Sequence, residues 1–250
     1  MIILKTPEEI DKMARACRIV GEVLEDMKAF VKPGVSTKDM EKRAEEKISA
    51  RGGTAAFKGY RGYPASICTS VNDQVIHGIP SHMRLKDGDI VSVDVGVYID
   101  GFYGDGAVTL PVGEISPLAG KLLRVTEEAL YKGIDMATTR HRVSDISAAI
   151  QKHVEANGFS VVRAFVGHGI GMSLHEDPQI PNFGMPGQGP RLKEGMTIAI
   201  EPMVNARGYE VSILEDGWTA VTVDGGLSAH FEHTIGITDS SDAIILTKLT

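Results

Sequence analysis

Two short segments of this chain recur in the same order, and this recurrence limits the folds that the chain can adopt. The recurring pairs are His77-Gly78-Ile79 with His168-Gly169-Ile170, and Leu85-Lys86-Asp87-Gly88 with Leu192-Lys193-Glu194-Gly195. Nine residues after its leucine, each copy of the second segment reaches an acid, Asp94 in one case and Glu201 in the other. Either match alone is within chance, but together they favour an internal duplication whose two halves face one site.

Hydrophobic periodicity supports the duplication, because it predicts two helices followed by strands, twice over. The first helix begins at residue 7 and stops at 32–34, the second runs from 36 or 37 to 52–53, the third from 116–117 to about 134, and the fourth from 144 to 157–158. Strands are predicted at 65–71, 74–78, 89–99, 102–112, 161–166, 196–204, 209–214, 218–223 and 229–238. We expect an α/β (α+β) fold with one catalytic domain, residues 1–250, and pseudo-repeat halves at about 1–113 and 114–250.

The stretch SVDVGVYIDGFYGDGAVT, residues 92–109, predicts a β-hairpin that carries two acids. Asp100-Gly101 favours a two-residue type I′ turn, which needs positive φ at both central residues. If the residues flanking this turn pair, Asp105 lies opposite Gly96, and Asp94 lies two residues before Gly96 on the same face. The two aspartates are then diagonal neighbours with open space between them, whereas a three-residue loop would place them on opposite faces.

Two carboxylates so placed repel each other unless a proton or a cation lies between them. A strand aspartate ordinarily pairs with Arg or Lys, but residues 92–109 contain neither. The second half contributes three further side chains of ligand type, His168, Glu201 and Glu232. Together with Asp94 and Asp105 of the hairpin they make a possible ligand set. This mix favours two divalent ions, drawn from Mn, Fe(II), Co and Zn, that activate a shared water. His77 and His175 are expected to reach the same cavity, although either alone is more often a satisfied loop histidine.

Other catalytic motifs are weak in this sequence. His175-Glu176-Asp177-Pro178 lacks the second His of HExxH, and its Pro would break the helix that this motif needs. The glycine-rich residues 167–171 have neither GxGxxG spacing nor the lysine of a P-loop, and GxSxG is absent. Cys68 beside a histidine would make a thiol hydrolase pair, but an apolar strand cysteine is more often a packing residue.

Five stretches resemble the successive signatures of the bacterial type I methionine aminopeptidases. They are VNDQVIHGIP (71–80), VDVGVYIDGFYGDGAVT (93–109), GHGIG with LHEDPQIPNFG (167–184), IEPMV (200–204) and SAHFEHTIGIT (228–238). The resemblance runs across nearly the whole chain and keeps the order of the family. It implies the pseudo-two-fold "pita-bread" fold, in which two related helix-helix-strand halves flank a central curved antiparallel sheet.

The resemblance also implies a role for each candidate residue. Asp94, Asp105, His168, Glu201 and Glu232 match the five ligands of two divalent metal ions. Asp105 and Glu232 would bridge the ions, His77 and His175 would contact the scissile peptide, and Glu201 would also shuttle a proton. The implied reaction is attack of a metal-bridging hydroxide on the first peptide bond, which releases the N-terminal methionine of nascent proteins and peptides. The family prefers a small second residue.

A methionine pocket follows from the same resemblance. The matching positions are Tyr60, Tyr63, Cys68 and Trp218, which would form an apolar slot for an unbranched thioether. Phe57 and Leu174 occupy pocket positions at which other members carry different residues. The alternative for GYRGYP, residues 59–64, is an aromatic loop that only packs on the sheet.

Composition excludes several classes of function. A net charge of -7 and a pI near 5.6 argue against a nucleic-acid site, although Lys121 with Arg124, or Arg140 with Arg142, could form a local basic patch. The sequence has no secretion signal and no membrane-length apolar run, and its two cysteines, Cys17 and Cys68, suit a reducing compartment. We expect a cytoplasmic monomer whose partners are peptides with a free N-terminal methionine, nascent chains at the ribosome among them, with no membrane partner.

Two alternatives remain open. Proline-specific members of the same fold, such as prolidase and aminopeptidase P, carry an additional amino-terminal domain that 250 residues cannot hold. A fold relative that has lost its metals and serves as a binding protein is disfavoured by the five retained ligand types. The chain also begins at its first helix, and thirty positions separate Glu201 from Glu232. We therefore expect a minimal type I enzyme, without a cysteine-rich extension or the helical insertion of type II.

Overall fold

The computed structural model describes residues 1–238 and 242–249, which contain four α-helices, a short 3₁₀ helix at Tyr60–Gly62 and fifteen strands. The helices are α1 (Pro7–Phe30), α2 (Thr37–Ala50), α3 (Pro117–Asp135) and α4 (Val143–Ala156). The strands are β1 (Thr54–Ala55), β2 (Cys68–Val71), β3 (Gln74–Ile76), β4 (Ile90–Ile99), β5 (Phe102–Pro111), β6 (Ser160–Val161), β7 (Gly167–Gly169), β8 (Glu176–Ile180), β9 (Thr197–Ile200), β10 (Met203–Asn205), β11 (Val211–Ile213), β12 (Ala220–Thr222), β13 (Ser228–His230), β14 (Glu232–Gly236) and β15 (Ile244–Ile245). Within these ranges no helix is long and apolar enough to cross a bilayer.

Local capping sets where α1 and α2 begin, and both helices start where the sequence predicts. At the start of α1 the Thr6 hydroxyl accepts a hydrogen bond from the Glu9 amide at 3.3 Å, and the Glu9 carboxylate accepts one from the Thr6 amide at 2.8 Å. Ser36 and Asp39 form the same capping box at α2. These reciprocal bonds satisfy amides that have no partner within a helix, so the helix starts are fixed by a few residues.

The hairpin of β4 and β5 has the predicted register. Asp100 and Gly101 adopt φ angles of 53° and 88°, as a type I′ turn requires, and Gly96 pairs with Asp105. The two acids therefore lie on one face. The space at Gly96 is not open, however, because a Cβ atom there would overlap the ring of Phe57. The predicted gap between the acids is thus filled by an aromatic side chain.

A nine-stranded sheet is the largest in residues 1–238 and 242–249, and its centre joins the two halves. Its strand order is β1-β4-β5-β14-β9-β7-β8, with β2 also paired to β4 and β15 to β14. At the centre, β5 of the first half pairs antiparallel with β14 of the second, with Glu232 opposite Ala107. Side chains from both halves therefore converge beside this central pair of strands.

The two halves repeat each other in detail. In the repeated turns, the amide of Leu85 donates to the carbonyl of Val35 at 2.9 Å, and the amide of Leu192 donates to the carbonyl of His141 at 3.1 Å. One apolar cluster packs α1 and α2 against β4, and another packs α3 and α4 against β9 and β14. The expected helix-helix-strand halves are present, and we keep the boundary between residues 113 and 114 as a proposal.

Three predicted strands are divided or reduced to two residues, and four others, at 65–71, 74–78, 209–214 and 218–223, are shorter than predicted. The strand at 161–166 is reduced to Ser160–Val161, and the strands at 196–204 and 229–238 are each divided in two. Each division falls where the chain passes between the large sheet and a three-stranded sheet of order β13-β10-β6. At one of them Pro202 has no amide hydrogen to continue a ladder. Strand β8 was not predicted, because its sequence, EDPQI, contains two acids and a proline, which are uncommon in strands.

Candidate active site and metal centre

A cavity of about 150 Å³ lies among strands of both halves, and every predicted site residue lines it. Its walls contain Phe57, Tyr60, Arg61, Tyr63, Cys68, His77, Asp94, Asp105, His168, Leu174, His175, Glu201, Trp218 and Glu232. Arg61 is the one member of this set that the sequence did not single out. The structure thus brings the predicted ligands, the predicted catalytic histidines and the predicted pocket into one place.

Four carboxylates form the floor of this cavity. Asp94 and Asp105 lie on β4 and β5, Glu232 begins β14, and Glu201 directly follows β9. The amide of Asp105 donates to the hydroxyl of Thr234 at 3.1 Å, and that hydroxyl donates to the carbonyl of Asp105 at 2.7 Å. These two bonds lock β5 against β14, so the buried acids of the two halves face the same space.

Burial makes this cluster of carboxylates resist ionisation. It raises the pKa of Asp94 to about 7 and that of Glu201 to about 8. The pKa values of Asp105 and Glu232 lie well above their usual range, because of burial first and the neighbouring carboxylates second. Among the described residues, no Lys or Arg lies within 4.0 Å of these acids. The ordinary pairing of a strand aspartate with a cationic side chain does not occur, so a proton or another cation must balance the cluster.

His168 presents one ring nitrogen to the acids. Its Nδ1 lies 2.8 Å from the carbonyl oxygen of Gly169, a bond that places the proton on Nδ1. Its Nε2 lies 3.6 Å from Oε1 of Glu201 and 4.0 Å from Oδ2 of Asp105. Burial lowers the pKa of His168 to about 3, so the ring is neutral. A neutral imidazole with a free Nε2 lone pair is a metal ligand.

These residues fit a divalent metal site. Asp105, His168 and Glu232 each offer a ligand atom, and the three atoms lie within 4.8 Å of one another. Oδ1 of Asp94 and Oε1 of Glu232 are buried without a hydrogen-bond partner in the described part of the chain. Several carboxylate oxygens with one imidazole are the donor set of divalent ions such as Mn, Fe(II), Co and Zn. Binding of such an ion would occupy the unpartnered oxygens and favour the ionised carboxylates.

The repeated His-Gly segments have a steric explanation. A Cβ atom at Gly78 would overlap the carbonyl oxygen of Thr69, and one at Gly169 would overlap that of Asp177. In each half the backbone after the histidine therefore touches a neighbouring strand, which only glycine permits. His77 itself has a φ of 59°, a left-handed conformation that is unusual for a residue with a Cβ. Strained backbone of this kind indicates a constraint on where the imidazole points.

His175 is held by a pocket tyrosine. Its Nδ1 lies 2.9 Å from the hydroxyl of Tyr60, and the two rings stack with centroids 5.3 Å apart. On its other side, its ring centroid lies 4.2 Å from that of His168. Burial and then the nearby charge of Arg61 lower the pKa of His175. The ring is therefore neutral, oriented, and adjacent to the carboxylate cluster.

The apolar part of the cavity is built around Tyr63 and Trp218, whose rings meet edge to face at 5.1 Å. The Tyr63 hydroxyl donates to the carbonyl of Gly78 at 2.9 Å, so the pocket and the segment that carries His77 are tied together. Leu174 is 2% exposed and packs in the same apolar cluster. The loop GYRGYP thus lines a cavity as well as packing on the sheet.

Cys68 pairs with Asp94 across β2 and β4 and is almost fully buried. Burial, followed by the charge of Asp94, raises the pKa of its thiol well above the usual range. A nucleophilic cysteine needs a lowered pKa, because the thiolate is the reactive form. The site therefore disfavours a thiol hydrolase, and Cys68 acts as an apolar wall.

Two residues at the site were missed in the sequence. Nε2 of His230 lies 3.6 Å from Oε2 of Glu201 and has no hydrogen-bond partner in the described ranges. The signal was its position two residues before Glu232, on the same face of the strand predicted at 229–238. Arg61 has a left-handed φ of 49°, and its guanidinium lies 5.4 Å from the ring centroid of Tyr60. Its position between two pocket tyrosines was the available signal.

Comparison with known proteins agrees with this geometry. Residues 11–239 match metallopeptidase family M24. A methionine aminopeptidase from Clostridium perfringens (strain 13 / Type A) is 56% identical over 245 residues, which is 98% of this chain and 98% of that protein. The crystal structure of a methionine aminopeptidase from Thermotoga maritima superposes with a TM-score of 0.98 at 50% identity and covers 100% of both chains.

A more distant structure shares the fold alone. The prolidase from Pyrococcus furiosus superposes with a TM-score of 0.77 at 22% identity and covers 99% of this chain but 66% of that one. These neighbours confirm the expected pita-bread fold, and the full-length identity separates this chain from the proline-specific branch. This chain belongs to metallopeptidase family M24 and, within that family, to the methionine aminopeptidases.

Proposed function

We propose that this chain removes the N-terminal methionine of peptides and proteins by metal-dependent hydrolysis of the first peptide bond. The observation that carries the proposal is one cavity in which a buried carboxylate and imidazole cluster adjoins an apolar pocket. The cluster supplies hydrolytic chemistry, and the pocket supplies selection of an apolar first side chain. The methionine aminopeptidases at 50% identity or more support the same activity.

The metal ligands in this proposal are the five predicted side chains: Asp94, Asp105, His168, Glu201 and Glu232. We propose two divalent ions, of Co, Mn, Fe(II) or Zn, because four carboxylates exceed the charge that one ion balances. When bound, such ions polarise the peptide carbonyl and lower the pKa of water. The unpartnered oxygens of Asp94 and Glu232 support their roles as ligands.

Proton transfer is assigned to Glu201 and peptide positioning to two histidines. With metal bound, the Glu201 carboxylate would be ionised, so it would accept a proton from water and return it to the leaving amine. His175 is neutral, with Nδ1 occupied by Tyr60, which leaves its other ring nitrogen for the oxygen of the reacting carbonyl. His77 borders the same cavity beside Trp218, with ring centroids 6.5 Å apart.

The pocket accounts for the choice of methionine. Tyr60, Tyr63, Cys68 and Trp218, with Phe57 and Leu174, enclose a mainly apolar space that suits a flexible thioether. A preference for small second residues is part of the proposal. We also propose that the protein is a monomer and that its substrates include nascent chains at the ribosome. We propose a cytoplasmic location, with which the two buried, free cysteines agree.

The test is methionine release from two peptides. Metal-stripped protein is reconstituted with Mn, Fe(II), Co or Zn in turn and given Met-Ala-Ser or Met-Lys-Ser, with Ala-Pro as a control for a prolidase. We expect metal-dependent release of methionine, faster from Met-Ala-Ser, and no cleavage of Ala-Pro. The variant Asp105→Ala should be inactive. Cleavage of Ala-Pro alone, or full activity of Asp105→Ala, would contradict the proposal.

A further inference from the structure

A buried ion pair lies outside the cavity walls and joins the amino-terminal segment to the loop that carries His175. Nζ of Lys5 contacts Oε2 of Glu176, and the two side chains are only 3% and 5% exposed. Ion pairs are usually left at the surface, because two charges lose their hydration when they are buried. This pair connects chain segments that are distant in sequence, and Glu176 directly follows His175.

Both members of the pair are held in place. Oε1 of Glu176 accepts a hydrogen bond from the Ser173 amide at 3.1 Å, so the same carboxylate also closes its own loop. The Lys5 amide donates to the carbonyl of Gly195 at 2.7 Å, which fixes the segment before α1 against the start of β9. A Cβ atom at Gly171 would overlap Cε of Lys5. The lysine thus fills a space shaped for it.

The loop anchored in this way determines where His175 lies. The His175 ring lies between Tyr60, at a centroid distance of 5.3 Å, and His168, at 4.2 Å. A displacement of Glu176 would therefore change the contacts of His175 on both sides, because adjacent residues share one peptide plane. Lys5 itself does not line the cavity.

We propose that Lys5 is a positioning residue for the reaction, which acts through Glu176 to hold His175 at the substrate carbonyl. The inference deepens the proposed function and rests on the role given there to His175. Loss of the lysine ammonium leaves the Glu176 carboxylate buried without its cation, and the loop relaxes toward water. Displacement of a catalytic group by about 1 Å lowers turnover by as much as about 100-fold.

Three variants separate positioning from simple stabilisation. Lys5→Met removes the charge but keeps an unbranched side chain, and Lys5→Met/Glu176→Gln also removes the uncompensated carboxylate. Asp177→Asn is the matched control, because Asp177 makes the neighbouring ion pair with the Met1 amino group but its side chain is 59% exposed. Each protein is loaded with Zn, and kcat and KM for Met-Ala-Ser, the thermal midpoint and the His175 side-chain ¹⁵N signals are measured.

We expect Lys5→Met to lower kcat about 10- to 100-fold with KM near the wild-type value, and to shift the His175 signals. The double variant should regain thermal stability but keep the low kcat and the shifted signals, while Asp177→Asn matches wild type. A double variant with wild-type kcat and unshifted His175 signals would overturn the inference, even if Lys5→Met alone does not fold. Two different results would contradict the proposed function itself. One is a wild-type protein that releases no methionine, and the other is a His175→Ala variant with undiminished kcat.

Discussion

Nε2 of His168 lies 3.6 Å from Oε1 of Glu201, on neighbouring parts of the sheet. The pKa of His168 is lowered to about 3 and that of Glu201 is raised to about 8, so without a metal both side chains are neutral near pH 7. A divalent cation between them would favour ionised Glu201 and leave the imidazole neutral. The protonation of this pair is therefore linked to metal binding and to stability.

The stability of the metal-free protein should fall as Glu201 ionises. Its folded pKa is raised from 4.5 to about 8, so its contribution is fully present below about pH 4.5 and is lost as the pH rises through about 8. Thermal midpoints of chelator-treated wild type and Glu201→Gln, from about pH 5 to about pH 9, isolate this group. The two proteins should match at low pH, with the wild type less stable at high pH. A difference that does not depend on pH would contradict the assignment.

Asp105→Asn should weaken metal binding by more than about 100-fold, because even partners of metal ligands contribute 10- to 100-fold. Isothermal titration with Mn²⁺ measures the affinity, and release of methionine measures the activity. Asp100→Asn is the control, since Asp100 lies in the exposed turn of the same hairpin, where it pairs with Arg15, and asparagine tolerates its left-handed backbone. Wild-type affinity in Asp105→Asn would remove Asp105 from the ligand set.

Gly169→Ala should displace His168 and weaken the metal site. The added methyl group overlaps the carbonyl oxygen of Asp177, so β7 must shift. This shift should lower the free energy of unfolding by about 1–3 kcal/mol. Gly236→Ala in β14 is the control, because nothing lies within 4 Å of a Cβ atom there. Urea unfolding of the metal-free proteins and Mn²⁺ titration give the two readouts. Equal behaviour of the two variants would show that the close approach at Gly169 is unimportant.

Leu174→Ala should enlarge the methionine pocket. The side chain is 2% exposed, and its truncation should cost about 2–5 kcal/mol of unfolding free energy. The measured quantity is kcat/KM for ethionine-Ala-Ser divided by kcat/KM for Met-Ala-Ser. This ratio should be about 10-fold higher in the variant than in wild type, because one methylene changes selectivity by this order. Leu118→Ala, at a position that is 50% exposed, is the control. Unchanged selectivity would place Leu174 outside the pocket.

Local chemistry made the hairpin predictable. Asp100-Gly101 permits one kind of tight turn, and that turn alone determines that Gly96 faces Asp105. The repeated segments indicated that ligands from two halves would meet, and the cavity contains all of them. In both cases a short run of residues carries the information.

Contacts between distant segments were not predictable in the same way. The ring of Phe57 fills the space over Gly96, and no periodic pattern reports this packing. The buried pair of Lys5 and Glu176 could not be predicted either, because a Lys or Glu in a sequence ordinarily indicates a position that faces solvent. The broken strands at 196–204 and 229–238 cross between sheets, and both sides of each break remain apolar, so the division leaves no signal.

The pairing of β5 with β14 has a consequence for how activity is lost. Asp94 and Asp105 come from one side of this seam, whereas His168, Glu201 and Glu232 come from the other. Each helix pair packs in its own apolar cluster, and a smaller third cluster joins residues of both halves. Regions with separate cores can open before the whole chain unfolds. In mild denaturant the two halves should therefore separate, and activity should be lost, while the amides of both helix pairs remain protected from hydrogen exchange.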